Sequence, residues 1–433
     1  MTWGFETDPE FQAELDWIDD FVTNEVEPLD HVIPHPFDLA DPVRAELIPP
    51  LQERVRERKL WACHLGPELG GQGYGQVKLG LMNEILGRSD NAPSVFGCQA
   101  PDSGNAEILA HYGTPEQKER FLEPLLRNEI VSCYSMTEPQ GGADPKVFRC
   151  TATLDGDEWV INGEKWFSSH ARWADFLIVM VVTDPEAETY RKMSMLLVPV
   201  DTPGVEIVRN VGLGIEDESQ DNGSHAYIRY TNCRVPTENM LGDRGQGFVV
   251  AQTRLGGGRI HHAMRTVGRC GRLLDQMAER ALSRTTQGEL LGRKQMVQDM
   301  VAESWIQLET FKLLVLQTAW RIDKYHDYQR VRADISAVKA LMPKVYLDIA
   351  SRALQIHGSL GLSWEMGFSR EVMESFAMGL ADGPTEVHKT TVARQLLKSY
   401  DGGDEIFPST HIPKLRAAAR EKYRDVLERH GRL

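Results

Sequence analysis

Residues 134–145 read Tyr-Ser-Met-Thr-Glu-Pro-Gln-Gly-Gly-Ala-Asp-Pro, and this is the stretch on which the fold depends. A strand-like run over 130–136 leads into it, and Thr137 offers a hydrogen-bond donor and acceptor where that strand ends. Gly141 and Gly142 let a backbone approach a flat or phosphorylated ligand without a Cβ in the way. On these residues alone, an ordinary strand-to-turn junction explains the stretch about equally well.

A second segment, about twenty residues further along the chain, favours a ligand-binding loop over an ordinary turn. The stretch 134–145 resembles the flavin-contact signature of the acyl-CoA dehydrogenases, in which an aromatic-x-x-Thr-Glu-Pro run precedes a Gly-rich loop with Asp. Residues 162–169 read Asn-Gly-Glu-Lys-Trp-Phe-Ser-Ser and are similar to that family's Gly-x-Lys-x-Trp-Ile-Thr/Ser segment. The two motifs stand in the family's order and spacing, and the resemblance extends over roughly residues 10–400.

The resemblance implies FAD as cofactor, lying between a central β domain and a C-terminal helical bundle. Trp166 would pack near the flavin ring and Ser168 would hydrogen-bond its edge; the alternative for Trp166 is a strand aromatic in the core. Arg284 would pair with the FAD pyrophosphate across a subunit boundary, which suits the guanidinium fork. The predicted FAD residues are Tyr134, Met136, Thr137, Trp166, Ser168, Ser169, Arg284, Gln295, Gln355, Gly358, Ser359, Pro384, Thr385 and Glu386.

The catalytic base implied by the resemblance is a carboxylate near the end of the bundle. Most relatives carry a Glu in a Tyr-Glu-Gly-Thr context, and the matching residue here is Asp382 in Ala-Asp-Gly-Pro. A subgroup of the family that resembles this chain carries the same Ala-Asp-Gly-Pro. Because Asp is one methylene shorter, the backbone or the substrate must come about 1.3–1.5 Å closer. The alternative is a plain turn residue; as a base in a buried site, Asp382 is expected to have a raised pKa.

The reaction that the resemblance implies is α,β-dehydrogenation of an acyl-CoA thioester to the 2-enoyl-CoA, as in fatty acid β-oxidation. Asp382 would remove the α-proton, FAD would take the β-hydride, and an electron-transfer flavoprotein would take the electrons. The predicted substrate-side residues are Ala143, Arg259, His262 and Gly383. Three alternatives stay open: an acyl-CoA oxidase that uses oxygen, a non-catalytic flavin- or acyl-CoA-binding protein, and a purely structural helical protein.

Polar residues near the predicted acyl pocket suggest more about the substrate. Asp102 and Ser103 lie in the segment that floors the pocket in relatives, and a histidine from the pair His261 and His262 is expected in its wall. This combination favours a hydroxylated, branched or ring-bearing acyl chain over a plain fatty one. Adjacent residues on a helix point ~100° apart, so the histidine pair is a poor metal chelate and no metal site is predicted.

Composition and charge narrow the class of protein. The 433 residues suggest about three domains. A net charge of −15 argues against nucleic acid or an anionic membrane as the main partner. Six scattered cysteines without a CxxC pair indicate reduced thiols in a cytoplasmic protein. No signal-peptide pattern and no apolar run of membrane-spanning length is present.

Periodicity along the chain predicts an α+β multidomain protein. Helical patterns occupy 1–130, a middle β domain covers 131–245, a four-helix bundle covers 246–400, and a tail with a charged helix covers 401–433. The β domain is expected to be a small barrel or sandwich. Pro343 lies inside a helical apolar stripe and is expected to break or kink it. Because relatives share the flavin between chains, a homodimer or homotetramer is expected.

Overall fold

The computed structural model describes residues 6–69, 71–213, 223–402 and 406–432, with the side chains of 255–257 left aside. The N-terminal region is helical, and its first helix begins where the Asp8 side chain accepts a hydrogen bond from Phe11 N, with Pro9 at the first position. Its helices are α1 (Pro9–Phe21), α2 (Pro42–Glu57), α3 (Gln76–Leu86), α4 (Ala92–Val95), α5 (Asp102–Tyr112), α6 (Pro115–Gln117) and α7 (Glu123–Leu126).

The middle region is one curved, mostly antiparallel sheet in the order β6-β7-β3-β2-β4-β5-β8, with β1 parallel to β4. Its strands are β1 (Ser132–Ser135), β2 (Thr151–Asp155), β3 (Glu158–Ser169), β4 (Phe176–Val182), β5 (Met193–Pro199), β6 (Val205–Val211), β7 (His225–Pro236) and β8 (Met240–Leu241). Residues of β4 alternate between two apolar clusters, one against α5 and the N-terminal part of the bundle, the other inside the curl of the sheet. This explains why β4 is a continuous apolar run.

The C-terminal region is a helical bundle around a third apolar cluster. The hairpin of β9 (Thr285–Thr286) and β10 (Glu289–Leu290) follows the first bundle helix, and after it two long helices and two helices of 13 residues complete the bundle. Its helices are α8 (Gly247–Ser283), α9 (Gln295–Tyr325), α10 (Arg332–His357), α11 (Ser359–Leu362), α12 (Phe368–Leu380) and α13 (Thr385–Leu397), and the tail forms α14 (Ile412–Lys422) and α15 (Arg424–Arg429).

The predicted fold class is confirmed: a helical N-terminal region, a central sheet and a helical C-terminal region. Of the break or kink expected at Pro343, the break is wrong, because α10 runs through that residue as one helix, and the kink stays a prediction. Pro343 still removes the backbone donor that the carbonyl of Lys339 would otherwise receive. Packing on both sides of α10, against α8, α12 and α13, holds the helix together across this missing bond.

Two further observations bear on the functional class. Among the described helices, none combines the length and apolarity needed to cross a membrane. All six cysteines are buried and unpaired, as expected for reduced thiols. Three parts of the fold meet in one place: strand β1, the start of α5, and the facing sides of α8, α10 and the α12–α13 turn.

Candidate active site

Asp382 lies in the tight turn between α12 and α13 and adopts a left-handed backbone conformation with φ 56°. This conformation is uncommon outside glycine, although Asp and Asn tolerate it best. Two side chains fix the turn through the Asp382 carbonyl, since Arg259 Nη2 and His388 Nε2 each donate to it at 3.2 Å. Gly383 follows with φ 105°, and a Cβ there would meet His388 Nε2 at 3.0 Å. These contacts therefore hold the turn in one defined conformation.

The carboxylate of Asp382 points inward and is 19% exposed. Burial raises its pKa, but the charges of His262, Arg254, Lys339 and Arg259 together lower the pKa by more, so it stays below the usual range. The expectation of a raised pKa is thus wrong. Burial alone predicts a raised pKa, whereas α8 and α10 place cations around the turn that lower it.

His262 lies closest to the carboxylate, with its Nε2 3.8 Å from Asp382 Oδ2. Burial lowers the pKa of His262 to about 4, so this ring is neutral near pH 7. The permanent positive charge around Asp382 therefore comes from Arg254, Arg259 and Lys339. His261 faces another way, toward His64 and Arg265, and its pKa is also lowered by burial. Within the described residues no set of three His, Cys, Asp or Glu groups could hold a metal ion.

Lys339 is a site residue that the sequence analysis missed. It lies on α10, is 2% exposed, and its Nζ donates to Met378 O. Burial lowers its pKa to about 8, while Asp382 opposes that shift. The signal was available in the sequence, because a lysine next to Val338 and four residues after Ile335 interrupts an apolar stripe. A lysine is almost never fully buried unless it is paired.

Arg254 joins the turn to the sheet and was also missed. Its Nε donates to Asn105 Oδ1 at 3.0 Å, and its guanidinium carbon lies 4.2 Å from the centre of the Tyr134 ring. Both Arg254 and Asp382 act electrostatically on the Tyr134 hydroxyl, whose pKa burial raises above the usual range. The predicted base and the first predicted flavin segment therefore lie on opposite sides of one small polar region.

A buried ion pair locks the two predicted flavin segments together. Lys165 Nζ donates to Glu138 Oε1 at 2.9 Å and to Met136 O at 2.8 Å, and both charged side chains are 0–1% exposed. Glu138 also accepts from the backbone N–H of Cys150 at 3.0 Å. Next to this pair, Trp166 N donates to Thr137 O at 2.9 Å. The end of β1 and the middle of β3 are thus fixed in register by polar contacts.

In the second segment, the aromatic residue lies on the surface of the sheet, whereas the first hydroxyl residue points into it. Trp166 is half-buried on the sheet surface, with Tyr227 and the Arg209 guanidinium near its ring, so it is not a core aromatic. The Ser168 hydroxyl points into the sheet and pairs with Ser135 Oγ at 2.8 Å. A flavin contact through Ser168 would therefore use its backbone or exchange this bond. Ser169 Oγ is 2.9 Å from His225 Nδ1.

The other predicted FAD residues lie at the surface of the single chain. Arg284 follows α8 and is exposed, and Gln295 is exposed at the start of α9. Gln355, Gly358 and Ser359 are exposed at the end of α10. This exposure is compatible with the prediction that these residues hold FAD across a subunit boundary, which stays a prediction. Among the described residues, no hydrogen bond within the chain joins these residues to Trp166.

The remaining predicted residues flank the Asp382 turn or the first loop. Pro384 precedes α13, the Thr385 hydroxyl donates to Gly379 O at 3.3 Å, and Glu386 is exposed in the first turn of α13. Ala143 is exposed on the Gly-rich loop, where it offers no side-chain hydrogen bond. Glu386 and Asp382, the two acids in this segment, thus differ in environment, and only Asp382 faces the interior.

A small cavity at the start of α5 is lined by Trp61, His64, Gln99 and Asp102, with room for roughly one water molecule. Asp102 accepts from Ser132 N at 2.9 Å and from Gln99 Nε2 at 3.2 Å, and burial raises its pKa to about 6. Both ring nitrogens of His64 and the Gln99 carbonyl oxygen are buried without a hydrogen-bond partner among the described residues. Buried polar atoms of this kind usually have partners, so the cavity is a place for a polar group.

Comparisons with known proteins agree along nearly the whole chain. Residues 8–129, 133–233 and 245–397 match the models of the N-terminal, middle and C-terminal domains of acyl-CoA dehydrogenases. The probable acyl-CoA dehydrogenase FadE2 of Mycobacterium tuberculosis is 38% identical over 90% of this chain and 92% of its own length. Acyl-CoA dehydrogenase family member 11 of Mus musculus is 38% identical over 81% of this chain, which spans only 45% of that longer protein.

Solved structures give the same picture. A Mycobacterium abscessus structure described under the same family name superposes with a TM-score of 0.84 at 36% identity, covering 92% of this chain and 100% of the other. The acyl-CoA dehydrogenase of Geobacillus kaustophilus superposes with a TM-score of 0.74 over 91% of this chain and 100% of the other; its 24% identity supports the fold alone.

Proposed function

The chain belongs to the acyl-CoA dehydrogenase family, and from that premise we propose that Asp382 removes the α-proton of an acyl-CoA thioester. The protein is an FAD-dependent oxidoreductase of that family. The observation that carries the proposal is the Asp382 turn, in which a strained backbone, two side-chain clamps and three cations hold one ionised carboxylate inside the protein. A surface turn residue would need none of these.

The residues present fit a bound flavin. Trp166 offers a half-buried aromatic ring, and its backbone N–H donates to Thr137 O. Gly142 lies against the Thr137 side chain, and the Glu138–Lys165 pair joins the two segments. When bound, FAD supplies the acceptor for the hydride that leaves the β-carbon. The task of the chain is to place Trp166 and Thr137 on one side of the substrate and Asp382 on the other. The flavin contacts of Tyr134, Met136, Ser168 and Ser169 are part of the same proposal.

The substrate side of the site has a buried donor without a partner. Arg259 Nη2 is used by the Asp382 carbonyl, whereas its Nε is buried and makes no hydrogen bond among the described residues. We assign this donor, together with the backbone N–H of Asp382, to the thioester and CoA end of the substrate. Donors placed where charge develops on the thioester oxygen stabilise the enolate-like transition state. Ala143 contributes shape only, and Gly383 gives the turn its room.

The lowered pKa of Asp382 keeps the base ionised in the free enzyme, which is the form that accepts a proton. The same cations make it a weaker base, so the reaction relies on stabilisation of the thioester oxygen and on close placement. Because the carboxylate is one methylene shorter than Glu, we propose that the left-handed turn at Asp382 moves the backbone toward the substrate to compensate.

Replacing Lys339 with Met should shift the acidic limb of the kcat/KM profile to higher pH. Lys339 favours the ionised form of Asp382, so its loss lets Asp382 take up a proton at a higher pH. Lys344→Met is a matched control, because Lys344 lies on the same helix, is 69% exposed and pairs with Asp348. The profile of the control should coincide with that of the wild type. An unchanged profile in Lys339→Met would show that this lysine does not act on the base.

Membership of the family is also the basis for proposals about the electron acceptor and the oligomeric state. We propose that an electron-transfer flavoprotein reoxidises the enzyme, that the working form is a homodimer or homotetramer with FAD near the subunit boundary, and that the protein acts in the cytoplasm. The exposure of Arg284, Gln295 and Gln355 in the single chain supports a shared FAD site. An acyl-CoA oxidase would use the same carboxylate and differ in its reaction with oxygen.

Anaerobic mixing with a panel of acyl-CoAs tests the proposed reaction. The FAD-loaded protein should lose the visible absorption of oxidised flavin, and the 2-enoyl-CoA should form in equal amount. Admitting air should restore the absorption slowly, and adding an electron-transfer flavoprotein should restore it fast. Fast recovery in air alone would favour the oxidase, and a protein that never bleaches with any acyl-CoA would be a non-catalytic binder.

We further propose that the acyl chain carries a polar group, such as a hydroxyl. A plain fatty chain that filled the cavity beside His64 and Gln99 would exclude water and leave three buried polar atoms unpaired, which costs roughly 1–3 kcal/mol for each group. A hydroxyl can donate to the Gln99 oxygen and accept from a ring N–H of His64. The Asp102 carboxyl fixes Gln99 in place for this contact.

Replacing His64 with Leu should weaken the preference of the enzyme for hydroxylated over unsubstituted acyl-CoAs. We expect the ratio of kcat/KM for a hydroxylated acyl-CoA to that for its unsubstituted analogue to fall about tenfold, because one polar partner is lost while apolar area is gained. Steady-state rates with both substrates give the ratio. A wild-type enzyme that turns over the straight, saturated analogue faster than any substituted one would contradict the assignment.

A further inference from the structure

The tail of the chain, residues 406–432, lies beyond the region matched by the family models, which ends at residue 397. It forms α14 and α15. Its described side-chain contacts join residues of the tail to each other: Lys414 Nζ donates to Phe407 O, and Phe407 stacks on His411. None of its described residues belongs to the four buried apolar clusters. The tail is therefore folded but does not contribute to the core of its own chain.

One face of the tail is apolar. Within α14 the large apolar side chains recur at spacings of three or four residues, as on an amphipathic helix, and further ones follow at the junction with α15 and in α15 itself. They are Ile412 (60% exposed), Leu415 (51%), Tyr423 (52%) and Val426 (44%). Ala419 completes the stripe and, with Tyr423 and Val426, lines a shallow groove. Contiguous exposed apolar surface of this kind marks an interaction site.

The charge of the tail is opposite to that of the rest of the protein. Residues 406–433 contain seven Lys or Arg against three Asp or Glu, a net charge of +4. Since the whole chain carries −15, the remaining residues carry −19. Arg416 and Arg420 flank the apolar groove, so the positive charge adjoins the apolar face. A partner for this face should be apolar at its centre and acidic around it.

We propose that the tail docks on the acidic surface of a second copy of this chain. Another copy offers the strongly negative charge that the tail complements, and the exposed Leu396 and Leu397 at the end of α13 add apolar surface shortly before the tail in the chain. An anionic membrane fits less well, because such a surface repels a body of charge −19. The polar side of α14 and α15 is also mixed in sign, with Glu421, Asp425 and Glu428 among the basic residues.

Site-specific photocross-linking tests the docking in the full-length, FAD-loaded protein. A photoreactive phenylalanine derivative replaces Tyr423, and two differently tagged copies are produced together so that crosslinks between copies can be told from crosslinks within one. We expect about tenfold more crosslinking between copies than with the same group at Ala417, which lies on the opposite face of α14. The crosslinked peptides should be rich in Asp and Glu.

A charge reversal gives the second measurement. The double variant Arg416→Glu/Arg420→Glu should raise about tenfold the concentration at which the assembly dissociates, measured by mass photometry, while Ala417→Glu changes it less than about twofold. Both changes are at exposed positions, so the melting temperature serves as the control for folding. Crosslinks confined to one copy would overturn the proposal. Equal crosslinking from positions 423 and 417, or capture by anionic vesicles in place of a second copy, would overturn it as well.

Discussion

Replacing Asp382 with Asn is expected to slow anaerobic flavin bleaching by an acyl-CoA about 10²–10⁴-fold while FAD stays bound. Asn keeps the shape of the side chain and tolerates the left-handed backbone at φ 56°, so the turn should persist. It cannot accept the α-proton. Stopped-flow absorbance gives the rate, and the FAD absorption of the purified variant confirms that the site is intact.

The matched control is Glu386→Gln, four residues later in the same segment. Glu386 is exposed at the start of α13, whereas Asp382 faces the interior, so only Asp382 is placed to act as the base. Bleaching by Glu386→Gln should remain within about tenfold of the wild-type rate. If Glu386→Gln lost activity and Asp382→Asn kept it, the assignment of the base would be reversed.

Breaking the buried pair of Glu138 and Lys165 should have the largest effect on stability. The change Glu138→Gln leaves the Lys165 ammonium buried with 0% exposure and without its counter-charge, which costs about 3–5 kcal/mol. For a protein of this size we expect the melting temperature to fall by roughly 3–6 °C. FAD affinity should fall as well, because the pair joins the two segments that carry Thr137 and Trp166.

The double variant Glu138→Gln/Lys165→Met separates the charge effect from a packing effect. Removing both charges takes away the uncompensated ammonium, so the double variant should melt above Glu138→Gln. Its FAD affinity should stay low, because the hydrogen bond from Lys165 to Met136 O is also lost. A double variant that melts below the single one would show that the pair contributes through its geometry and not through its charge balance. Differential scanning calorimetry supplies the melting temperatures.

Much of the fold follows from local patterns that the sequence displays directly. The apolar run Phe176–Val182 is β4, and the Asp155-Gly156 turn separates β2 from β3 as expected. Asp382 could be predicted as the base because the short motif Ala-Asp-Gly-Pro resembles a family motif at that position. Local sequence records such features because the residues that create them are neighbours in the chain.

The features that local sequence could not supply depend on residues far apart. Arg254, Lys339 and Asp382 come together only after α8, α10 and the α12–α13 turn have packed, and this packing reverses the expected pKa shift of Asp382. The continuity of α10 through Pro343 likewise depends on the helices on either side of it. The ion pair of Glu138 and Lys165 joins two motifs that are separated in the sequence, so neither motif alone predicts it.

The most direct test is a crystal structure of the protein with FAD and an acyl-CoA analogue that cannot be dehydrogenated. The account predicts an Asp382 carboxylate oxygen about 3–3.5 Å from the α-carbon, with the flavin ring on the opposite face of the acyl chain beside Trp166. A thioester bound elsewhere, or an α-carbon whose nearest carboxylate belongs to another residue such as Glu386, would contradict it.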